Sequence, residues 1–190
     1  MQRRTFLKTA AAIVPCAGLH GVIGEYAHAE DAAPATSDSL HVVGAGEDRF
    51  SSPIAMGFST MLFKVATNET AGGLFIIEHK GLKNAGPPLH LHIAQEEWFY
   101  VMEGKVQFQI GEQRFELGPG ESVLAPRRVP HAFAGSGSTP AHMLIAFSPA
   151  GKMEACFRDG SSSPDSLPDK RAYFRRYDME YVGPSPFTKA

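Results

Sequence analysis

The sequence predicts an all-β protein, and three observations carry that reading. Between Phe58 and Ser148 the chain breaks into short runs rich in β-branched and aromatic residues, at 58–66, 72–80, 87–92, 96–103, 105–110, 113–117, 121–126, 130–134 and 141–148. Runs of that length, bounded by glycine, proline and small polar residues, read as strands of an antiparallel protein. Within one of them Val106, Phe108 and Ile110 alternate with Lys105, Gln107 and Gln109, which gives a buried face and a wet one. Turn residues separate the runs. Glu103-Gly104 and Gly111-Glu112 carry the glycines that short hairpins need, and Gly118-Pro119-Gly120 turns the chain and removes an edge donor. So many short strands suffice for a closed double sheet.

Ahead of the strands, residues 1–29 combine paired arginines, a modestly apolar stretch broken by Pro15, and a small-x-small end at Ala27-His28-Ala29. That is the pattern of an export signal. Arg3-Arg4-Thr5-Phe6-Leu7-Lys8 resembles the twin-arginine motif, whose route carries proteins already folded; the resemblance implies a periplasmic or secreted protein with its cofactor inserted before export. Cys16 follows Pro15 where lipid attachment uses a small residue, and the apolar run is too short and Gly-rich for a membrane span. No membrane anchor is expected after cleavage. Cutting after Ala29 leaves 161 of the 190 residues, one domain with enough chain for a core. It also removes Arg3, Arg4, Lys8 and Glu25, which takes the formal charge from −2 to −4. A mildly acidic chain with no basic run gives no reason to expect a nucleic-acid partner. Cys156 becomes the one remaining cysteine, so an intramolecular disulfide is excluded, and it reads as a small buried residue on a helix. Residues 30–39, rich in Ala, Asp, Ser and Pro, read as a flexible lead-in to a β-domain at 40–148.

The chemistry concentrates at 86–104, GPPLHLHIAQEEWFYVMEG. Side chains two apart on a strand share a face, so His90 and His92 converge wherever this segment is extended. Two imidazoles and a carboxylate suit a transition metal, and the acidic ligand is Glu96 or Glu97. Glu96 is in phase with His92 on an unbroken strand, whereas a bend over Ile93-Ala94-Gln95 would turn Glu97 inward. Spacing leaves that choice open. The stretch resembles the first motif of the cupin family, and counting back from Gly104 in that motif selects Glu97. Gly120-Glu121, Pro126 and His131 resemble the second cupin motif, which makes His131 the fourth ligand. Two motifs in order are more specific than either alone. The pattern departs in three places: Asn84 stands where the first glycine belongs, with Gly86 nearby, Arg128 replaces the glycine after the proline, and Gly135 replaces the terminal asparagine. The resemblance implies a jelly-roll barrel around one divalent transition metal, which the ligands allow to be Fe, Mn, Ni, Co, Cu or Zn. Dimers are common on this fold, so a homodimer is an expected assembly.

Glu97 continues on one strand face through Phe99 and Val101, and Phe133 follows His131 by two. These three are expected to line an apolar substrate pocket for a small molecule. Trp98 and Tyr100 fall on the opposite face, as an outer contact or dimer surface. His79 and His142, outside both motifs, read as structural or exposed, and Arg127-Arg128 as a solvated turn. From 149 to 190 the pattern changes. PAGKMEACFRDG and LPDKRAYFRRYDMEYVG repeat apolar residues at helical spacing, with Pro149 and Pro168 suited to helix starts, and predict a helical extension packed outside the barrel, then an irregular tail.

Three histidines and one glutamate leave two places on an octahedral metal for oxygen, water or a chelating substrate. The sequence looks most similar to small bacterial cupins often associated with quercetin 2,3-dioxygenase. That resemblance implies a dioxygenase acting on a flavonol or other small phenol, with Glu97 as both ligand and catalytic base. Two other readings stand beside it. A non-redox isomerase or lyase needs a second acid or base in the pocket, for which Glu121 and Tyr100 are the candidates on the motif strands. A periplasmic binding protein without turnover needs only the ligands.

Overall fold

The computed structural model describes residues 40–160 and 169–187. The export signal, the lead-in and Pro168 lie outside the described residues. Two antiparallel sheets face one another. The first has the order β1 (Ile54–Ala55), β2 (Thr60–Val65), β3 (Phe75–Leu82), β10 (Ala141–Ser148), β5 (Glu96–Glu103) and β8 (Ser122–Ala125). The second runs β11 (Met179–Gly183), β4 (Leu89–His92), β9 (His131–Ser136), β6 (Lys105–Ile110) and β7 (Gln113–Leu117). Every run that the sequence marks as a strand is one. β1 is too short to leave a periodic signal, and β11 sits where the sequence reads as helix.

Alternation along each strand builds the core. Ala141, Met143, Ile145 and Phe147 of β10 point inward, as do Val106 and Phe108 of β6 from the facing sheet. Phenylalanines fill the space between, with Phe99 packed against both Phe108 and Phe133, and Phe75 against Phe63 and Phe147. Burying each such ring contributes about 1.5–3 kcal/mol relative to leaving it exposed. Gly111-Glu112 closes the expected hairpin between β6 and β7, where Ile110 pairs with Gln113. Glu103-Gly104 does not make a hairpin, because β5 and β6 belong to different sheets and the chain turns a corner of the sandwich there.

The three departures from the cupin motif have local physical reasons. A Cβ on Gly86 would collide with the Phe133 carbonyl oxygen, and one on Gly135 would lie 2.5 Å from the Leu82 carbonyl oxygen. Glycine at both places lets the segment before β4 cross closely over β9. Arg128 sits at φ 64, the left-handed region that explains a glycine in the motif, and its N–H donates to the His92 carbonyl at 2.7 Å.

The C-terminal segment differs most from expectation. Helical spacing correctly marks α1 (Met153–Asp159) and α2 (Lys170–Arg176), the latter capped by the Asp169 carboxylate accepting from the Ala172 N–H at 2.9 Å. The helix stops at Arg176, and Asp178 at φ 58 turns the chain into β11, which pairs with β4, Met179 opposite His92 and Tyr181 opposite His90. The segment does not pack on the outside of the barrel. β11 and α2 fold against the histidine strand and α1 sets Phe157 against Phe75 and Phe147 of the first sheet, with Met153, Cys156, Phe174 and Met179 buried in the main core. Helical periodicity gives the apolar stripe, but the face that it covers depends on β11 joining the sheet. The Tyr173 hydroxyl ties the helices together by donating to the Cys156 carbonyl at 2.7 Å.

Arg128 is exposed, and its side chain makes no hydrogen bond or ion pair among the described residues. A side chain in left-handed backbone costs about 1–2 kcal/mol, partly offset by the extra unfolded-state freedom of glycine. Arg128→Gly is therefore expected to melt at the wild-type temperature or a few degrees above it. A clear fall in the thermal midpoint would contradict this account of the turn.

Candidate metal centre

β4 and β9 place the three histidines. His90 and His92 alternate inward along β4, and His131, the first residue of β9, pairs directly with His90. The carboxylate arrives from the opposite sheet. After His92 the chain leaves the second sheet, bends through Ile93-Ala94-Gln95 and begins β5 in the first. That crossing resets the phase of the side chains. Glu97 is buried between Phe147 and Ala125 on neighbouring strands, whereas Glu96 lies at the rim, gripped by Arg127 through two contacts of 2.5 and 2.6 Å. The strand phase that favoured Glu96 fails because no single strand joins the two residues.

His90, His92, Glu97 and His131 each offer one ligand atom, and the four atoms lie within 4.8 Å of one another, all on buried residues. Glu97 Oε2 is 3.1 Å from His92 Nε2 and 2.7 Å from His131 Nε2. The far side of two rings fixes their tautomers: His90 Nδ1 lies 2.8 Å from the Pro88 carbonyl and His131 Nδ1 2.9 Å from the Val129 carbonyl. A carbonyl only accepts, so Nδ1 carries the proton, and in a neutral ring Nε2 presents a lone pair to the cluster. In His131 that lone pair faces a carboxylate oxygen at hydrogen-bond distance. Two acceptors so placed repel unless a proton or a cation lies between them. A divalent metal satisfies all four donors at once, and the donor set fits one.

The electrostatics point the same way. Burial, reinforced by the neighbouring His131 and His92, lowers the pKa of His90 to about 3, which keeps it a neutral ligand. Burial alone would raise the Glu97 carboxyl, but in the absence of metal, hydrogen bonds from His131 and His92, each with a proton on Nε2, and their charges outweigh it and hold the group well below the usual carboxylate range. Cys156 also borders the site. Burial pushes its thiol up to about 11, so it stays protonated and is a poor ligand.

His90, His92 and Glu97 line a cavity of about 70 Å³, from whose wall His131 is absent; the rest of the lining is mostly apolar, with Met56, Phe58, Phe133, Phe147, Phe157 and Phe174 prominent. Phe174, on α2, packs its ring 5.5 Å from that of His90. Of the expected pocket residues, Phe133 lines this cavity. Phe99 and Val101 do not: they face inward, but deeper along β5, where Phe99 is sealed among Phe108, Phe133 and His131. An inward direction tells which face a residue is on, not its depth. Tyr100 and Glu121 are not in the cavity either, since Tyr100 stacks on Trp98 at the outer face and the exposed Glu121 carboxylate accepts from the Gly118 N–H. His142 lies on the outer face too, with Nε2 2.7 Å from Glu78. His79, read from the sequence as structural or exposed, is buried at the cavity wall. Burial lowers its pKa to about 4. The alternation Phe75, Ile77, His79 is the sequence signal for that inward position.

Two outcomes follow for the isolated protein. Elemental analysis should find metal in Glu96→Ala at the wild-type level, and most of it gone from Glu97→Ala and from Ala variants of His90, His92 or His131. The reverse for the two glutamates would show that the wrong carboxylate has been assigned. In metal-free protein, His79 and His90 stay neutral when folded but take up protons near pH 6.5 when unfolded. The unfolded state thus binds more protons below that pH, and stability falls as pH drops from about 6.5 toward about 4. The depressed Glu97 carboxyl adds a loss of the same sign at still lower pH. Melting curves against pH should show this slope, reduced over its upper part in His79→Phe.

Residues 82–147 match the family model described as the cupin domain. An uncharacterised protein of Methanocaldococcus jannaschii is 30% identical over 61 residues, covering 32% of this chain and 49% of its own length. A protein named polyketide synthase CurC, from Streptomyces cyaneus, is 26% identical over 84 residues, covering 44% of this chain and 54% of its own. The chain spans about half the length of the curated relatives that it matches. Among solved structures, a predicted oxalate decarboxylase from Thermotoga maritima superposes with a TM-score of 0.52 at 15% identity, covering 57% of this chain and 99% of that one. Pac13, a nucleoside dehydratase, does so with a TM-score of 0.51 at 10% identity, covering 77% and 94%. At these identities the structural likeness is one of fold alone. Residues 82–147 thus resemble the cupin domain, and the two-sheet jelly roll is the fold these structures share.

Proposed function

We propose that this protein binds one divalent transition metal through His90, His92, Glu97 and His131 and turns over a small phenolic substrate, as a dioxygenase acting on a flavonol or related phenol. The observation that carries the reading is a carboxylate held with three imidazoles against a mostly apolar cavity. The metal, when bound, supplies acidification of a coordinated phenol and redox chemistry with oxygen. The residues do the rest. Glu97 Oε2 faces the histidines, while Oε1 makes no hydrogen bond among the described residues and is the atom open to a substrate proton. Phe133, Phe147 and Phe174 exclude water and offer flat surfaces to a ring. At about 70 Å³ the cavity is smaller than the roughly 150 Å³ that holds a benzene ring, so a single-ring phenol already requires the C-terminal helices to move outward, and a three-ring flavonol requires more. Export through the twin-arginine-like signal belongs to the same proposal.

A second reading, a non-redox metal-dependent isomerase, lyase or cyclase, is favoured by one observation. His79 supplies the further titratable group in the cavity that such chemistry needs, and the similarity to a protein named as a polyketide synthase is compatible with it. Oxygen separates the two. Protein loaded with iron, manganese, nickel or cobalt is incubated with flavonols and single-ring phenols, in air and under argon. Substrate loss matched by oxygen uptake and abolished under argon is expected. Equal loss under argon would move the assignment to the non-redox reading, and tight binding without loss in either atmosphere would leave a binding protein.

A further inference from the structure

His79 belongs to neither ligand motif, yet it occupies the wall of the cavity that His90, His92 and Glu97 line. Its position is built rather than incidental. β3 carries Phe75, Ile77 and His79 inward in alternation, and His79 sits between Met61 of β2 and Met143 of β10 in the strand register. Phe58 stacks on the imidazole, with ring centroids 6.0 Å apart and planes at 17°, and Phe133 meets it edge-on at 5.7 Å. Ser59, itself buried, completes the clamp with Oγ 2.6 Å from His79 Nδ1.

The tautomer follows from counting donors and acceptors. The Ser59 hydroxyl has one hydrogen-bond partner among the described residues, His79 Nδ1. Its proton has no other protein acceptor, so the hydroxyl donates to Nδ1 and the imidazole proton resides on Nε2. Nε2 has no protein partner among the described residues. With Nδ1 taken by Ser59 and the ring flanked by Phe58 and Phe133, the edge left to meet the cavity is the one bearing Nε2–H. Nε2 is not among the fully buried unpartnered atoms, so the N–H keeps accessible surface from which a ligand oxygen in the cavity can accept. Burial keeps the ring neutral, so it acts as a directional donor and adds no positive charge beside the metal ligands.

We propose that His79, oriented by Ser59, is a substrate-binding residue whose Nε2–H donates to an oxygen of the metal-bound substrate, selecting molecules that carry a phenolate, enolate or carbonyl oxygen. The proposal deepens the reading of the site as a metal-dependent enzyme for small phenols and rests on it. In an otherwise apolar cavity one fixed donor decides how a flat substrate is turned. Phenols that lack an oxygen within its reach bind without a preferred orientation.

Two measurements on the full chain loaded with zinc, which is redox-inert, test it. Long-range proton–nitrogen correlation spectra of ¹⁵N-labelled protein, with the His79 signals assigned by their loss in His79→Phe, should show the proton on Nε2, and Ser59→Ala should mix the tautomers. A proton on Nδ1, or a doubly protonated ring at neutral pH, overturns the proposal without involving any ligand. In the second, catechol binding is followed by calorimetry. His79→Phe should weaken it by about three- to tenfold, the loss of one neutral hydrogen bond. His79→Gln, which keeps a donor, should recover part of that loss, with zinc content equal in all three proteins. Catechol binding unchanged in His79→Phe overturns the role of His79 and leaves the metal site standing. Failure of wild-type protein to hold zinc overturns the reading on which the proposal rests.

Discussion

The fold is arranged around a buried negative charge. An ionised carboxylate in an apolar interior is costly unless opposite charge or donors surround it, and removing its partners from a buried pair destabilises far more than an exposed pair would. Glu97 lies among three imidazoles, two of them turned toward the cluster by backbone carbonyls, and a cation between them meets this constraint. Those carbonyls leave lone pairs, not protons, facing the carboxylate. Three acceptors, the carboxylate and these two rings, at one point make a poor hydrogen-bond network and a good metal cage, and the rest of the domain holds that set in place.

Holding it requires both sheets and the tail. The histidines come from β4 and β9, the carboxylate from β5 across the sandwich, so the site pins the two layers together at one end. β11 extends the histidine sheet beside β4, and α1 and α2 bring Met153, Cys156, Phe157, Tyr173 and Phe174 to the cavity wall. The barrel core of stacked phenylalanines contains none of the four cluster residues. The C-terminal segment is different in kind: it is part of the site, and its packing sets the size of the cavity.

Much of this was legible in the sequence, and the limits have physical causes. Period-two alternation located the strands because each has a buried and a wet face, and it placed His90 and His92 together. It left the glutamate open because a phase count is valid only along one strand, and the chain changes sheets between His92 and Glu96; the spacing of the family motif carried that information instead. Phe75, Ile77 and His79 alternate inward as Glu97 and Phe99 do, but direction does not give position along the barrel axis, which is why the sequence reading put Phe99 in the pocket and left His79 out of it. The apolar stripes of α1 and α2 were visible, whereas their partner was not, because the helices dock where β11 leads them. Glu103-Gly104 looked like a hairpin since a corner between sheets and a tight turn use the same residue types.

X-ray absorption spectroscopy of the protein as purified tests the central claim most directly, because it reports which atoms bind the metal. The account predicts about one transition metal per chain, bound by three imidazole nitrogens and a carboxylate oxygen, with the imidazole scattering lost when His90 and His92 are both changed to alanine. A sulfur neighbour from Cys156, a shell of oxygens alone, or a site left without metal after purification from cells grown with iron, manganese, nickel, cobalt, copper and zinc would contradict it.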